Sequence, residues 1–359
     1  AITQIAGRQI AAEKIPSWKE IDDIWYPKHL SLEQCSSEIT ARYKASLLQG
    51  ESLADLTGGF GIDCSFLATG FRSATYVERQ EELCEIAAHN FPVLNLNHIN
   101  IKNEDGVTYL QAMSPVDCLF LDPARRNEHG GKTVAISDCE PNVAELEELL
   151  LQKANRVMIK LSPMLDLSLA LKELKQTQEV HILSVNNECK ELLILLGQTS
   201  PAEISIHCVN LFTKGTQKEQ HFVFTREQEQ CSECTYTDSL ETYLYEPNAS
   251  LLKAGAFRSI AAAYPVRKLH PNSHLYTSDT FIENFPGRIF RIVNQCSFNK
   301  KEVKENLADL KKANVTVRNF PATVAELRKR IHLAEGGDTY LFASTLNNGQ
   351  KVLIRCEKV

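Results

Sequence analysis

No apolar run among the 359 residues approaches the roughly 20 needed for a membrane-spanning helix, and no secretory leader is visible. The chain does not begin with Met. It starts in mid-pattern at Ile2, Ile5 and Ile10, so an N-terminal piece is expected to precede it. Cysteine is present, but a pairing pattern is not. There are eleven, an odd number, and several sit in strand-like or helix-like apolar stretches (Cys84, Cys118, Cys208). That reads as reduced thiols of a cytoplasmic protein and not as a disulfide framework. The single CxxC, Cys231 and Cys234, lies in a polar loop without a second pair, so surface thiols are expected there and no metal. With 43% hydrophobic and 23% charged residues the composition is that of a globular protein, and the length predicts two or three domains.

Positive charge is scarce in the body and abundant at the end. Residues 1–243 hold 21 Lys and Arg against 35 Asp and Glu, a net of −14. Residues 244–359 hold 18 against 10, a net of +8, within an overall charge of −6. A basic C-terminal third on an acidic body suggests a polyanion-binding module fused to something else. The basic residues interleave with apolar ones and do not form a tail. That favours a folded nucleic-acid module over simple attraction between domains.

Glycine clusters at Ser52–Asp63 (SLADLTGGFGID). An apolar lead-in ends at Asp55, glycines follow at 58, 59 and 61, and Ile62, Phe66 and Leu67 open a helical pattern. Strand, glycine turn, helix is the layout that holds a nucleotide-like ligand in an open α/β sheet. The rhythm continues. Strands are predicted over 52–57, 74–78, 99–103, 116–121, 156–161 and 180–185. Helices are predicted over 61–69, 80–90, 107–113, 141–153 and after 166. Residues 192–196 are apolar without clear periodicity and fit a helix or an antiparallel strand after an Asn186-Asn187 turn, with the strand favoured, and 204–212 and 221–225 read as a further hairpin on that edge. The predicted fold is α/β, a doubly wound Rossmann-like sheet over 51–243, mostly parallel with an antiparallel edge. A helical segment (1–50) precedes it, and small modules at 244–287 and 288–359 follow. The polar residues Glu33, Gln34, Ser36 and Ser37, just upstream of the glycine turn, fit either a pocket roof or a solvated helix surface.

Open sheets bind ligands at the carboxyl ends of their strands. Here those ends read Asp55, Glu78, Asp105, Asp122-Pro123 and Ser162-Pro163. Glu78 follows Asp55 at about the 20-residue spacing of a ribose-binding acid. Both NAD and S-adenosylmethionine fit so far. The missing G-x-G-x-x-G favours the second: the turn reads Asp-x-Thr-x-Gly-x-Gly. Asp105 is placed for an adenine, and a dehydrogenase has no obvious use for Asp122-Pro123.

Residues 52–163 resemble class I S-adenosylmethionine-dependent methyltransferases. Residues 33–38 with 52–63, 122–126 and the tail resemble, more specifically, the bacterial methyltransferase family that carries a THUMP-like C-terminal domain. This second resemblance covers nearly the whole chain. It implies cofactor contacts at Asp55, Thr57, Gly58, Gly59, Gly61 and Asp63. It implies ribose binding by Glu78 beside Arg79, adenine binding by Asp105, and a catalytic-face motif at Asp122, Pro123, Ala124 and Arg125, with Asp122 also beside the cofactor. Thr57 stands where most class I enzymes have glycine, and a small residue is kept.

What the motif lacks narrows the chemistry. Exocyclic-amine methyltransferases of nucleic acids carry Asn/Asp-Pro-Pro-aromatic, where the aromatic stacks the flipped base. Position 124 is Ala and 125 is Arg, so amine methylation of a base is in doubt. Carbon-5 uracil methylation needs a Cys at the end of the fifth strand. Leu161-Ser162-Pro163 stands there, which disfavours it. Asp122 can orient a nucleophile or take its proton, or serve as a cap or cofactor contact. Arg125 and Arg126 fit a phosphate or a stacked base, or an ion pair with Glu128, Asp138 or Glu140.

Residues 244–286 read as a small module, with a turn at Pro247-Asn248 opening a helix, and resemble a ferredoxin-like insert of the same family. The name refers to topology; the stretch has no iron–sulfur cysteine spacing. Residues 288–359 predict a strand (288–293), an amphipathic helix (300–313), a strand (315–318), a helix (323–330) and a hairpin around Asn348-Gly349. Lys300, Lys301, Lys304, Lys311, Lys312, Arg318, Arg328, Lys329 and Arg330 give this module its charge, and such cations supply phosphate affinity. The tail resembles the THUMP-like family, which implies RNA, tRNA or rRNA, as partner. Two readings stand: an RNA methyltransferase docked by its basic domain, or a methyltransferase of a protein or small molecule whose C-terminal domain is structural. A scaffold that has lost catalysis is a weaker third.

Overall fold

The computed structural model describes residues 2–125, 135–199 and 201–359. It divides into two compact units, Ala1–His207 with Leu211–Lys218, and Cys208–Asn210 with Glu219–Val359. The side chain of Arg125 and all of Arg126 fall outside the described residues.

The first unit is built on strands β1 (Gly50–Asp55), β2 (Phe71–Glu78), β3 (Ile99–Asn103), β4 (Val116–Leu121), β5 (Ala154–Leu161), β6 (Thr177–Val185) and β7 (Glu188–Gly197). Their order in the sheet is β6-β7-β5-β4-β1-β2-β3. The pairs β1·β2, β1·β4, β2·β3 and β4·β5 are parallel. The order reverses between β1 and β4, which puts the ends of β1 and β4 at the switch point where such sheets hold ligands.

The antiparallel strand β7 inserts between β5 and β6 and pairs with both. Leu192, Leu193, Ile194, Leu195 and Leu196 are all fully buried. A strand flanked on both edges and covered on both faces reads as a continuous apolar run, which is why periodicity alone was ambiguous there.

The N-terminal helices are Ile2–Lys14, Pro16–Lys19, His29–Gln34 and Glu38–Leu47. Ala11, Ile15, Trp18, Ile24 and Tyr26 share a core with Phe60, Ile62, Leu83 and Ile86, and Trp18 packs edge-on to Phe60 with centroids 5.4 Å apart. Each such large apolar side chain contributes about 1.5–3 kcal/mol on burial. The segment is thereby fixed against the helices on either side of β2. No helix among the described residues is long and apolar enough to cross a membrane.

The second unit holds a seven-stranded sheet and the short helices Arg226–Cys231, Ala249–Ala254, Phe257–Ala263, Lys300–Leu307 and Val324–Ile331. The helix expected after the Pro247-Asn248 turn is Ala249–Ala254, capped by Asn248, and Tyr243–Pro247 before it is a strand. Leu244 and Tyr245 are fully buried and the strand pairs on both edges, with Tyr276–Ser278 and Gly287–Ser297. The helix predicted over 300–313 stops at Leu307, because Lys312–Val317 is drawn out as a strand parallel to Ala334–Thr345. The predicted hairpin joins Ala334–Thr345 to Lys351–Lys358, with Gly349 at φ +86°.

Candidate active site

The glycine turn follows β1 directly. Leu56 N–H donates to Phe120 carbonyl and Gly58 N–H to Val77 carbonyl, which ties the turn to β4 and β2. A Cβ on Gly58 would lie 2.3 Å from the Tyr76 ring, so only glycine fits. Gly61, at φ +85°, begins the helix Ile62–Leu67. Thr57 Oγ1 accepts from Asp122 N–H at 2.6 Å, so the residue replacing the usual glycine links the ends of β1 and β4.

The predicted cofactor acids converge here, in three different states. Asp55 is fully buried. Its Oδ1 accepts from Thr57 N–H at 3.0 Å, and its Oδ2 is buried without a partner among the described residues. Burial, aided by the nearby Asp63, Asp122 and Glu78, pushes its carboxyl well above the usual range, against the Thr57 bond. Glu78, 8% exposed, accepts from Gly59 N–H at 2.9 Å through Oε2 and from Gln80 N–H at 2.8 Å through Oε1. It therefore braces the turn from the end of β2. Asp105 is exposed and caps the helix Gly106–Ala112, with Val107 N–H, Thr108 N–H and Thr108 hydroxyl all on Oδ1. Arg79 is exposed and lies 3.7 Å from Glu140. Pro123 is buried, and the backbone of Ala124–Arg125 pairs with Cys139–Glu140.

Asp63 turns the other way, into a buried charge network that the sequence did not announce. Its Oδ2 accepts from Ser36 hydroxyl at 2.7 Å, and its Oδ1 lies 3.0 Å from Lys44 Nζ without hydrogen-bond alignment. Lys44, fully buried, donates to Ser36 Oγ at 2.9 Å and to Glu191 Oε2 at 2.5 Å. Lys160 donates to Asp122 Oδ2 and stands 3.9 Å from Asp63 Oδ2. Burial raises the Asp63 carboxyl, but the two ammonium groups outweigh it and hold it below the usual range. Burial lowers the Lys160 ammonium, while Asp122, Asp63 and Glu191 outweigh that and raise it. Asp122 is raised by burial against the opposing pull of Lys160.

Register explains the convergence. Leu121 of β4 is opposite Ile159 of β5, so the next pair along is Asp122 and Lys160. Lys160 is opposite Leu193 of β7, and Glu191, two residues away, faces the same side. The helix Glu38–Leu47 brings Lys44 to that face. Ser36, from the cluster with two open readings, belongs to this network. Lys44, Lys160 and Glu191 were missed, although a lone Lys inside RVMIKL and a Glu opening ELLILL are charges in buried strands, which must be paired.

A separate cluster, Glu179, His181 and His207, brings ligand-type atoms within 4.8 Å of one another. The imidazoles are stacked, centroids 4.3 Å apart and 15° from parallel, and His181 Nδ1 lies 2.8 Å from Tyr43 hydroxyl. Their in-plane lone pairs run side by side and do not meet at one point.

In the second unit, Lys300, Lys301, Lys304, Lys311, Lys312, Lys329 and Arg330 are exposed, and Arg330 lies 4.1 Å over the Phe298 ring. Arg318 and Arg328 are engaged internally. Arg318 pairs with the buried Glu246 at 3.1 Å, and Arg328 donates to Ala313 carbonyl at 3.1 Å.

Comparison with known proteins bears on this arrangement. A ferredoxin-like domain family matches residues 243–286 and a THUMP domain-like family residues 287–358. A crystal structure described as a "putative methyltransferase from Porphyromonas gingivalis W83" is 37% identical over 99% of this chain and 89% of that one, with a TM-score of 0.90. A crystal structure described as "a modification subunit of a putative type I restriction enzyme from Vibrio vulnificus YJ016" covers 56% of each chain at 12% identity and TM-score 0.38. A Streptococcus mutans protein solved with S-adenosylhomocysteine covers 45% of this chain and 96% of its own at 12% identity and TM-score 0.32. No curated protein matches. With a doubly wound sheet, acids closing β1, β2 and β4, and a relative 37% identical over 99% of this chain, the chain belongs to the methyltransferase family that carries a THUMP-like C-terminal domain.

Proposed function

We propose that the protein is an S-adenosylmethionine-dependent methyltransferase that acts on a structured RNA, a tRNA or rRNA, docked by its basic C-terminal module. The observation that carries the cofactor reading is Asp55 Oδ2, a buried polar atom with no partner among the described residues, beside a glycine turn. Buried polar groups are normally satisfied, so an orphan at a ligand-binding switch point marks a place where a ligand supplies the partner. In this reading Asp55, Thr57, Gly58, Gly59 and Gly61 hold the amino-acid part, Glu78 the ribose hydroxyls and Asp105 the adenine edge. The cofactor supplies a methyl group on a cationic sulfur.

Support for RNA is the run of exposed cations on Lys300–Leu307, Lys312–Val317 and Val324–Ile331, in a segment matching the THUMP domain-like family. The test is methyl transfer from tritiated S-adenosylmethionine to total RNA of cells lacking the protein. Label in RNA that falls when Lys300, Lys301 and Lys304 become Gln supports the reading. Label in protein with none in RNA overturns it. Point substitutions are better than deleting residues 288–359. Gly287–Ser297 pairs with Tyr243–Pro247, so the deletion would strip that strand of a neighbour.

A further inference from the structure

The buried network narrows which atom this site methylates. Lys44, Asp63, Lys160, Asp122 and Glu191 form a chain of alternating charge, and its exposure is graded. The Lys44 side chain is fully buried, those of Asp63 and Lys160 are 11% exposed, and that of Asp122 is 37% exposed. Lys44 is committed to Glu191, Ser36 and Asp63, deep in the fold. The outer end, where a substrate can arrive, is the Asp122–Lys160 pair, held at the ends of β4 and β5.

An ammonium beside the catalytic-face carboxylate suits one class of nucleophile and penalises another. An amine attacks with a nitrogen that becomes more positive as the methyl arrives, and it needs free carboxylate lone pairs to hold its N–H groups. Lys160 both repels that charge and occupies Asp122 Oδ2. A hydroxyl oxygen must instead lose a proton and passes through a more negative state. Fixed positive charge at a developing oxyanion is one of the larger stabilising terms an active site supplies. A carboxylate raised above its ordinary range is a better proton acceptor than a solvated one. Ala124 is exposed and brings no ring to stack a flipped base. Ser162 follows the end of β5, where carbon-5 chemistry needs a thiolate. A ribose hydroxyl needs neither, because the 2′-hydroxyl lies on the open minor groove of an RNA helix and on the outside of a single strand.

We propose that this site methylates a hydroxyl oxygen, the 2′-hydroxyl of a ribose in RNA, with Asp122 accepting its proton and Lys160 holding the developing oxyanion. This rests on the RNA methyltransferase reading above. In the step, the O–H bond breaks and its proton goes to the Asp122 carboxylate. The oxygen pair forms the new O–CH3 bond as the S–CH3 bond breaks, its electron pair remaining on sulfur as a neutral thioether. The proton then leaves through the exposed edge of Asp122. Lys44 and Glu191 act as positioning residues that fix Asp63 and, through it, Lys160.

The test uses the full chain, tritiated S-adenosylmethionine and total RNA from cells lacking the protein. The RNA is hydrolysed in alkali and its nucleosides are identified by mass spectrometry. A 2′-O-methyl blocks alkaline cleavage, so the inference predicts label in alkali-resistant dinucleotides and as a 2′-O-methylnucleoside. Label on a base nitrogen or carbon overturns it and leaves the RNA reading standing. S-adenosylhomocysteine binding by calorimetry without any label in RNA overturns the RNA reading and the ribose assignment together. For Lys160, K160M is expected to lose about 100-fold or more in rate, the scale of a lost oxyanion contact. K160R should recover part of this, and both should bind S-adenosylhomocysteine within about threefold of wild type. D122N, which keeps the shape of the pair, should flatten the rise of rate with pH. A K160M rate within about threefold of wild type contradicts the role given to Lys160.

Discussion

The two units use charge in opposite ways. In the first, the charges that matter are buried and answer one another: Lys44 with Glu191 and Asp63, Lys160 with Asp122. In the second, most of the cations that matter are exposed, and the two that are partly buried, Arg318 and Arg328, are taken up by Glu246 and a backbone carbonyl. Buried charge is costly and holds only if every partner is present, so it fixes geometry. Exposed charge costs little, tolerates substitution, and adds affinity for a polyanion in small increments. One arrangement is suited to a reaction centre and the other to a docking surface.

The contrast breaks most visibly if one member of the buried network is removed. K44M should leave Glu191 and Asp63 buried without their cation and destabilise the protein by about 3–5 kcal/mol, measured by denaturant unfolding. K300Q, K301Q and K304Q should each change stability by no more than about 0.5 kcal/mol. A surface lysine that proves as costly as Lys44 would erase the distinction.

A half-buried titratable group in the second unit sharpens it. His274 stacks on Phe257 with centroids 3.6 Å apart, its Nδ1 is buried without a partner among the described residues, and burial, with Lys268 and Arg318 adding to it, lowers its pKa to about 4. The folded-state value lies below the unfolded one of about 6.5. Stability is therefore fully present above about pH 6.5 and is lost as pH falls toward 4, by up to about 3 kcal/mol. Melting curves across that window should show the loss, and H274N, which tolerates φ +53°, should remove most of it.

Asp55 has the opposite slope. Its raised carboxyl keeps a proton in the folded state that the unfolded chain has released, so stability falls as pH climbs from the ordinary carboxylate range through the raised value. D55N should melt higher than wild type at neutral pH, with a flatter pH dependence, while binding the cofactor more weakly. An unchanged melting temperature would mean that the orphaned oxygen costs the free protein nothing. The smallest effect belongs to the surface. Removing three contacting lysines should reduce the slope of log affinity for RNA against log salt by roughly 2–3.

These differences also account for what the sequence made legible. The strands, the glycine turn and the acids at 55, 78 and 105 were readable because each acid stands at or just past a strand end, a local signal. The order of β5, β7 and β6 was not, since a fully buried run such as Leu192–Leu196 carries no periodicity. The network was invisible for a further reason. Lys44, Lys160 and Glu191 meet only through sheet register and the placement of the helix Glu38–Leu47, and register is not written in any one segment. Asp63 read as a cofactor residue because it stands beside the glycine turn, whereas its side chain faces Lys44 and Ser36.

The account turns on whether the acids around the glycine turn form a cradle for a sulfonium nucleoside. Calorimetric titration of the full chain with S-adenosylmethionine, alongside D55A and E78A, measures this directly. The prediction is saturable one-to-one binding that weakens at least about tenfold in each variant, the scale of losing one or two charge-assisted hydrogen bonds. Wild-type binding that is absent, or that is unchanged in both variants, would contradict it.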